Sequence, residues 1–405
     1  MECRPILSAM RRNKAGALLI ALQMAITLAV LCNGLFIIEQ RLSFSQRPTG
    51  ADESHIFFIQ NQWVANPPDL SARLQTDLAA LRALPGVIDA FASNSHPLGH
   101  SGYPQDIKLS PDQKSRTAQA AVYFADEHGL QTLGLKLIAG RNFSGAEVID
   151  KASWSAQVLP PAIIITRTLA DKLFPGKEPL GRSIYLQPDN RAVQIIGIVD
   201  RLQVPWAQAW ASKFNDNSII EPFRLLSFYS FYIVRVQPGQ VTAVLRAAEN
   251  RLIEIDPLRI LGKSQSLTAA RAEVYRDDRG LAVILAVVCI ALVGISAFGI
   301  IGLTSYWVAQ RRRQIGIRRA LGATRHNIVR YFQTENFLIV AAGAGAGATI
   351  AVFLNLWMAT FFEMPRLPVS YVVISIICVF FLGQIAAFWP ALKAATISPV
   401  EATRG

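Results

Sequence analysis

Cysteine is scarce in this chain and badly placed for bridges. There are four in 405 residues, and none in the 237 residues of Leu42–Asp278. That stretch builds no disulfide even where an oxidising compartment would permit one, and no cysteine pair has metal-ligand spacing. Nucleotide motifs are missing too. A Walker A loop needs a glycine five positions before its Gly-Lys glycine and a Ser/Thr after the lysine. Around Gly176-Lys177 those places hold Asp171 and Glu178, so Leu173–Gly181 reads as a turn between helix and strand. No other Walker A occurs, and no serine sits in a G-x-S-x-G setting. Charge is absent from Ala15–Ile38 over 24 residues and from Gly280–Val308 over 29. Acids are absent from Arg311–Phe332, RRRQIGIRRALGATRHNIVRYF, which carries seven arginines.

What is present follows from those gaps. Ala15–Ile38, Gly280–Val308, Phe337–Phe361 and Val369–Ala391 are each long and apolar enough to cross a hydrocarbon core of about 30 Å. The first is too long for a secretory h-region and no small-x-small cleavage site follows, so it reads as an uncleaved span. The net charge of +12 is unevenly spread. Leu42–Asp278 holds 24 Lys+Arg against 23 Asp+Glu, whereas Ala309–Thr334 alone contributes +7. Excess positive charge beside spans marks the cytoplasmic side. The pattern places 1–14, the loop 309–334 and the tail 392–405 in the cytoplasm, and 42–278 outside. It also argues against nucleic acid as a partner, because the basic residues form membrane-flanking segments rather than a domain face. The fold class is an α-helical integral membrane protein with four transmembrane helices and a large α+β extracytoplasmic domain between helices 1 and 2.

Within 42–278, short runs rich in Ile, Val, Phe and Tyr alternate with helical patterns. His55–Gln60, Ala118–Phe124, Ala162–Thr166, Arg182–Leu186, Val193–Val199 and Phe231–Val236 read as strands. Asp69–Leu84, Arg167–Phe174 and Val241–Ile255 read as helices, the first two stopped by Pro85-Gly86 and Pro175-Gly176. At least two lobes are expected. Ser266–Asp278 looks helical and runs into span two, which predicts one continuous rod.

In the arginine loop, Ile317, Leu321, Ile328 and Phe332 recur at helical spacing, predicting a short basic amphipathic helix for a lipid surface or a protein partner. Gly343 and Gly347 form a GxxxG pair inside span three, where another helix can approach closely. The polar residues of the spans, Gln23, Asn33, Asn355 and Gln384, read as helix-to-helix hydrogen-bonding groups, since no ionisable residue lies in the span cores to serve ion coupling. His96 and His100 have i,i+4 spacing, but Pro97 and Gly99 between them predict a loop rather than a metal-binding helix. His128, beside Asp126 and Glu127, reads as a solvated surface residue.

These pieces resemble the MacB/FtsX (type VII) permeases of ABC transporters over nearly the whole chain. The segment LSAMRRNKAGALLIALQMAITLAV is similar to the family's first span. Leu133–Phe143, Phe174–Gly181 and Val193–Val199 resemble landmarks of its MacB-like periplasmic core domain. Gln310–Glu335, with I-G-I-x-R-A-L-G-A after a basic run, is the most specific match, and PALKAATISPVEATR resembles the closing segment of the FtsX-like domain. The resemblance implies that Gln314, Ile315, Gly316, Ile317, Arg318, Arg319, Ala320, Leu321, Gly322 and Ala323 form the surface that meets the ATPase. Family members usually carry an acid near Gln310 and Gln314, which this chain does not.

The implied role is a non-catalytic permease subunit of the bacterial inner membrane, with no catalytic, cofactor or metal site of its own. ATP and Mg would sit on a partner ABC ATPase subunit. A second permease copy or paralogue would complete a dimer, membrane lipid would surround it, and a periplasmic adaptor is a further partner the resemblance allows. ATP-driven movement of the loop would pass to the external domain (mechanotransmission) in export or extraction of an unidentified substrate. The alternative is a membrane-anchored FtsX-type regulator or sensor of a periplasmic or cell-wall enzyme. A third reading is a stand-alone external enzyme using His96, His100 or His128.

Overall fold

A computed structural model describes residues 14–64, 69–152, 158–186, 191–362 and 365–396. Most of the expected cytoplasmic N-terminus and the tail beyond 396 lie outside the described residues. The chain divides into two compact units, Arg47–Arg276 and the remainder.

Helix α1 (Lys14–Ser45) contains the first apolar window and continues past its end. The large domain then begins with β1 (Ile56–Gln62), α2 (Leu70–Arg82) and β2 (Val87–Ser93). Asp69 caps α2, its carboxylate accepting from the Ala72 backbone N–H at 3.0 Å. Next come β3 (Tyr103–Lys108), β4 (Ala118–Phe124), the short α3 (Gly129–Leu133), β5 (Leu137–Gly140), β6 (Ile149–Lys151), β7 (Ala162–Thr166) and α4 (Arg167–Leu173). The domain closes with β8 (Ser183–Leu186), β9 (Arg191–Val199), β10 (Ser218–Glu221), β11 (Phe223–Leu225), β12 (Tyr229–Val236), α5 (Val241–Ile255), β13 (Ile260–Ser266) and α6 (Leu267–Val274).

These elements form two lobes. One is a four-stranded antiparallel sheet in the order β13-β1-β12-β2. Strand alternation sends Phe57, Ile59, Tyr232 and Val234 to one face, where Leu74, Leu78 and Leu81 of α2 and Val244, Ala248 and Leu252 of α5 cover them. The other lobe has seven strands in the order β5-β9-β7-β10-β4-β3-β8. Because β8 also pairs with β9, six of them close on themselves, which removes two exposed edges. Ile107, Ile163, Ile165, Ile184, Ile195 and Ile219 belong to the core of this lobe. A separate core, including Phe58, Phe91, Tyr123, Phe231 and Ile233, lies between the sheets.

The helices of the other unit follow as α7 (Arg276–Gln310), α8 (Arg312–Ala320), α9 (Arg325–Phe362) and α10 (Val369–Ala395). Four of the described helices, α1, α7, α9 and α10, are long and apolar enough to cross a membrane. Ile20, Met24, Leu28, Val340, Ala344, Val379 and Ala387 form the apolar centre of this unit. Polar side chains add cross-links. Gln23 Nε2 donates to the Ile295 carbonyl at 3.1 Å and Asn33 Nδ2 to the Ala351 carbonyl at 3.2 Å. Asn355 Oδ1 accepts from the Leu367 N–H at 2.8 Å, tying down the turn before α10.

Two expectations need correction. Gln384 bonds across helices through its backbone carbonyl, which accepts from Gln333 Nε2 at 3.2 Å, while its own Nε2 is buried without a partner. The continuous rod from Ser266 is also interrupted. α6 ends at Tyr275, whose φ of −98° and ψ of 13° leave the helical region before α7 starts. Tyr275 is itself buried, and no glycine or proline announces the break.

Candidate functional site

The arginine loop folds as a helical corner, not as one amphipathic helix. α8 ends in paired backbone bonds, Gly322 N to Arg319 O at 3.1 Å and Ala323 N to Arg318 O at 3.0 Å. That pairing requires a left-handed residue just past the helix, and Gly322 supplies it with φ +94°. Thr324 then starts α9, its hydroxyl accepting from the Asn327 N–H at 3.3 Å. The four apolar residues expected on one face are thereby split. Ile328 and Phe332 are buried with Ile315, Val308, Ala391 and Ala394, whereas Ile317 is 46% and Leu321 83% exposed.

The corner is fixed from behind. Arg311 Nη1 lies 3.0 and 2.8 Å from the two carboxylate oxygens of Glu335, with side-chain exposures of only 13% and 3%. The Arg318 guanidinium sits over the Tyr331 ring at 4.8 Å. Of the expected coupling residues, Ile315 and Gly316 are buried and Arg319 and Ala323 half-buried. Gln314, Ile317, Arg318, Ala320, Leu321 and Gly322 are exposed. The outer surface therefore presents two aliphatic side chains among guanidinium groups, with no carboxylate in sequence from Arg311 to Thr334.

Gly343 and Gly347 lie where α9 meets α1. A Cβ on Gly343 would stand 2.6 Å from the Ala21 carbonyl oxygen, and one on Gly347 2.7 Å from that of Ala25. Gly345, between them, has nothing within 4 Å of such an atom. The glycine pair permits backbone-to-backbone packing of the two helices.

Of the four histidines of the large domain, His96 and His100 line one cavity, and His128 is not among its lining residues. His96 is buried and stacked on Phe58, ring centroids 3.6 Å apart, with Nδ1 2.9 Å from the Pro97 carbonyl. Burial lowers its pKa to about 4. His100 adopts a left-handed φ of +59° in the intervening loop and meets Gln208 Nε2 at 3.3 Å. His128 is not a solvated residue. It is half-buried, with Nδ1 2.9 Å from Asp89 Oδ2, and Arg82 Nε approaches the other oxygen of Asp89 at 3.2 Å.

Sequence reading missed three further ionic groups, because their partners are far apart in the chain. Glu335 is one, as the counter-ion of Arg311. Asp77 and Arg259 form a second, a two-pronged pair at 2.8 and 2.9 Å that Tyr232 Oη also joins at 2.6 Å from Asp77. In the third, Lys151 Nζ lies over the rings of Phe124 and Phe223 at 5.1 and 4.7 Å, close to Glu221. Burial pushes the Glu221 carboxyl up to about 7, with Lys151 pulling the other way.

The class is thus a four-helix membrane protein with a large inserted α+β domain and a basic, apolar-tipped corner between its second and third spans. The sequence matches the MacB-like periplasmic core domain over residues 17–251 and the FtsX-like permease C-terminal domain over 284–399. The first match alone covers more than half of the chain, and the chain belongs to the MacB/FtsX family of ABC-transporter permeases. It is a membrane protein whose large domain lies outside the cytoplasm. The macrolide export ATP-binding/permease protein MacB of Neisseria gonorrhoeae is 24% identical over 298 residues, covering 70% of this chain and 43% of that protein. Its counterpart in Chromobacterium violaceum is 24% identical over 285 residues, covering 66% and 41%. The chain spans about two fifths of the length of these relatives. The crystal structure of the periplasmic region of MacB from Actinobacillus actinomycetemcomitans aligns at 12% identity and a TM-score of 0.34, covering 57% of this chain and 97% of that one.

Proposed function

We propose that this chain is the permease component through which an ABC ATPase drives its extracytoplasmic domain, in export or extraction of a substrate. ATP and Mg belong to the ATPase partner, and this chain carries no catalytic group of its own. The protein resides in the inner membrane with both termini in the cytoplasm, paired with a second permease, identical or paralogous, and served by a periplasmic adaptor. The observation that carries the reading is the corner itself. Ile317 and Leu321 project from a helix end braced by the Arg311–Glu335 pair, the form expected of an apolar plug that fits a groove with an acidic rim. A helix packed this firmly transmits displacement instead of absorbing it.

Replacing Ile317 and Leu321 with Glu tests the docking. The variant inserts in the membrane as the parent does, and the ATPase no longer co-purifies with it. Loss of transport with the complex intact would place the coupling surface elsewhere.

A further inference from the structure

The large domain is entered at Arg47 and left at Arg276, and residues near both ends join one closed ring of contacts. Thr49, fully buried, donates to Glu53 Oε1 from its hydroxyl at 2.6 Å and from its backbone N–H at 3.3 Å. Arg271 of α6 grips the same carboxylate, Nε to Oε2 and Nη2 to Oε1, each at 2.6 Å. Its guanidinium lies 5.8 Å from the ring centre of Tyr275, the residue at which α6 gives way to α7. Tyr275 Oη accepts from Gln203 Nε2 at 3.2 Å, and the Gln203 backbone N–H donates to the Thr49 carbonyl at 2.8 Å, which closes the ring.

The ring reaches both lobes. Tyr123 Oη, from β4 of the closed lobe, donates to the Gln203 carbonyl at 2.6 Å. Glu53 stands three residues before β1 of the four-stranded lobe. Gly50, at φ +87°, brings the entering backbone against the Arg201 carbonyl, a contact that a Cβ would block. Burial alone would raise the Glu53 pKa, but the bonds from Arg271 and Thr49 outweigh it and hold the carboxyl below its ordinary value. The ring is therefore ionic at neutral pH and stiff, because each member is held by at least two others.

We propose that this ring gathers displacement of the two connecting segments and delivers it to both lobes together, with Glu53, Gln203, Arg271 and Tyr275 as positioning residues. The proposal rests on the coupling reading above and adds the point at which movement enters the domain. Without the ring, each connector can shift against the lobes separately, and movement dissipates in local rearrangement.

The test uses the full chain with its ATPase in lipid nanodiscs and follows amide hydrogen exchange with and without ATP plus vanadate. The wild type shows ATP-dependent changes in the connectors and in both lobes, read at α2 and β4. Glu53→Gln and Tyr275→Phe each keep ATPase binding, hydrolysis and the response of the connectors. Each loses the response of the lobes by at least about fivefold, on the order of 1 kcal/mol of coupling. A merely structural role would leave that response intact in any variant that folds, and Tyr275→Phe, which removes one hydroxyl, decides the matter should Glu53→Gln fail to fold. If both lobes respond in the variants as in the wild type, the ring proposal is overturned while the coupling reading stands. If the wild-type lobes themselves do not respond to ATP, the coupling reading falls and the ring proposal falls with it.

Discussion

Glu335→Ala is the sharpest test of whether the helical corner is held by charge. The substitution leaves Arg311, whose side chain is only 13% exposed, without the carboxylate that faces it at 2.8 Å. Breaking a buried pair on one side costs about 3–5 kcal/mol, since one ion stays desolvated without compensation. Arg311 retains some exposure and can swing its head toward water, so the low end, about 3 kcal/mol, applies. At about 1.4 kcal/mol per factor of ten, that multiplies the population of detached α8 by roughly 150. A spin label on a cysteine at the exposed Ala320, in a background freed of Cys3, Cys32, Cys289 and Cys378, reports the detachment as increased mobility. ATPase co-purification falls in parallel. The double variant Arg311→Met/Glu335→Met orphans no charge and recovers most of the loss. An immobile label and full ATPase binding in Glu335→Ala would refute the reasoning, leaving Ile315, Ile328 and Phe332 to hold the corner by apolar contact alone. A double variant as loose as the single would show that shape, not charge, decides.

Two further outcomes follow from local geometry. Gly347→Val drives a side chain into the Ala25 backbone and should lower unfolding stability in mild detergent by about 1–3 kcal/mol, whereas Gly345→Ala, in open space, should be neutral or stabilising. His96 makes the large domain acid-sensitive. Its folded pKa of about 4 lies below the ordinary 6.5, so between those values the unfolded state binds a proton that the folded state does not. Stability from this residue is therefore full above pH 6.5 and falls as pH drops, by roughly 2 kcal/mol between pH 7 and pH 5. Denaturant titrations followed by tryptophan fluorescence should show that slope diminished in His96→Phe. An unchanged slope would mean that other groups set the acid limit.

The spans were legible because a bilayer demands long uncharged runs, and Ala15–Ile38 and Gly280–Val308 have no other use. β4, β7 and α5 were read with their observed boundaries, since buried strands and an amphipathic helix each repeat a simple period. β13, ILGKSQS, escaped because it is a largely polar edge strand, with its apolar residues at one end. β2 escaped because Asp89 interrupts its apolar run, and that carboxylate is satisfied by Arg82, His128 and the Ala90 backbone N–H. The corner shows both sides of the matter. Its stop and restart were written in Leu321-Gly322-Ala323-Thr324, a glycine past a helix end followed by a capping threonine. A single apolar face cannot run across that break, because the chain leaves the helix at Gly322. The Arg311–Glu335 pair carried no such local mark, since opposing charges 24 residues apart meet only once the corner has folded.

The packing of α7 bears on how movement at the corner could travel. It is the least buried of the four long helices. Its contacts with α1 run through a sparse antiparallel seam: Trp307 at Gly16, the Ile295 carbonyl at Gln23, Ser296 on Thr27 at 2.7 Å, Cys289 at Gly34, and Asp278 on Arg41 at 2.7 Å. On α1 those positions are seven, four, seven and seven residues apart, close to a coiled-coil seam. Several of the rungs are polar, and hydrogen bonds between helices in a membrane contribute only about 1 kcal/mol each. α1 and α9, by contrast, meet backbone to backbone at Gly343 and Gly347, a contact that resists sliding. Over its 35 residues, about 52 Å at about 1.5 Å per residue, α7 is thus held to α1 less closely than α9 is. One end of that helix adjoins the corner at Arg311 and the other adjoins Tyr275. On the coupling reading proposed above, displacement between the corner and the ring would run along this sparsely buried helix.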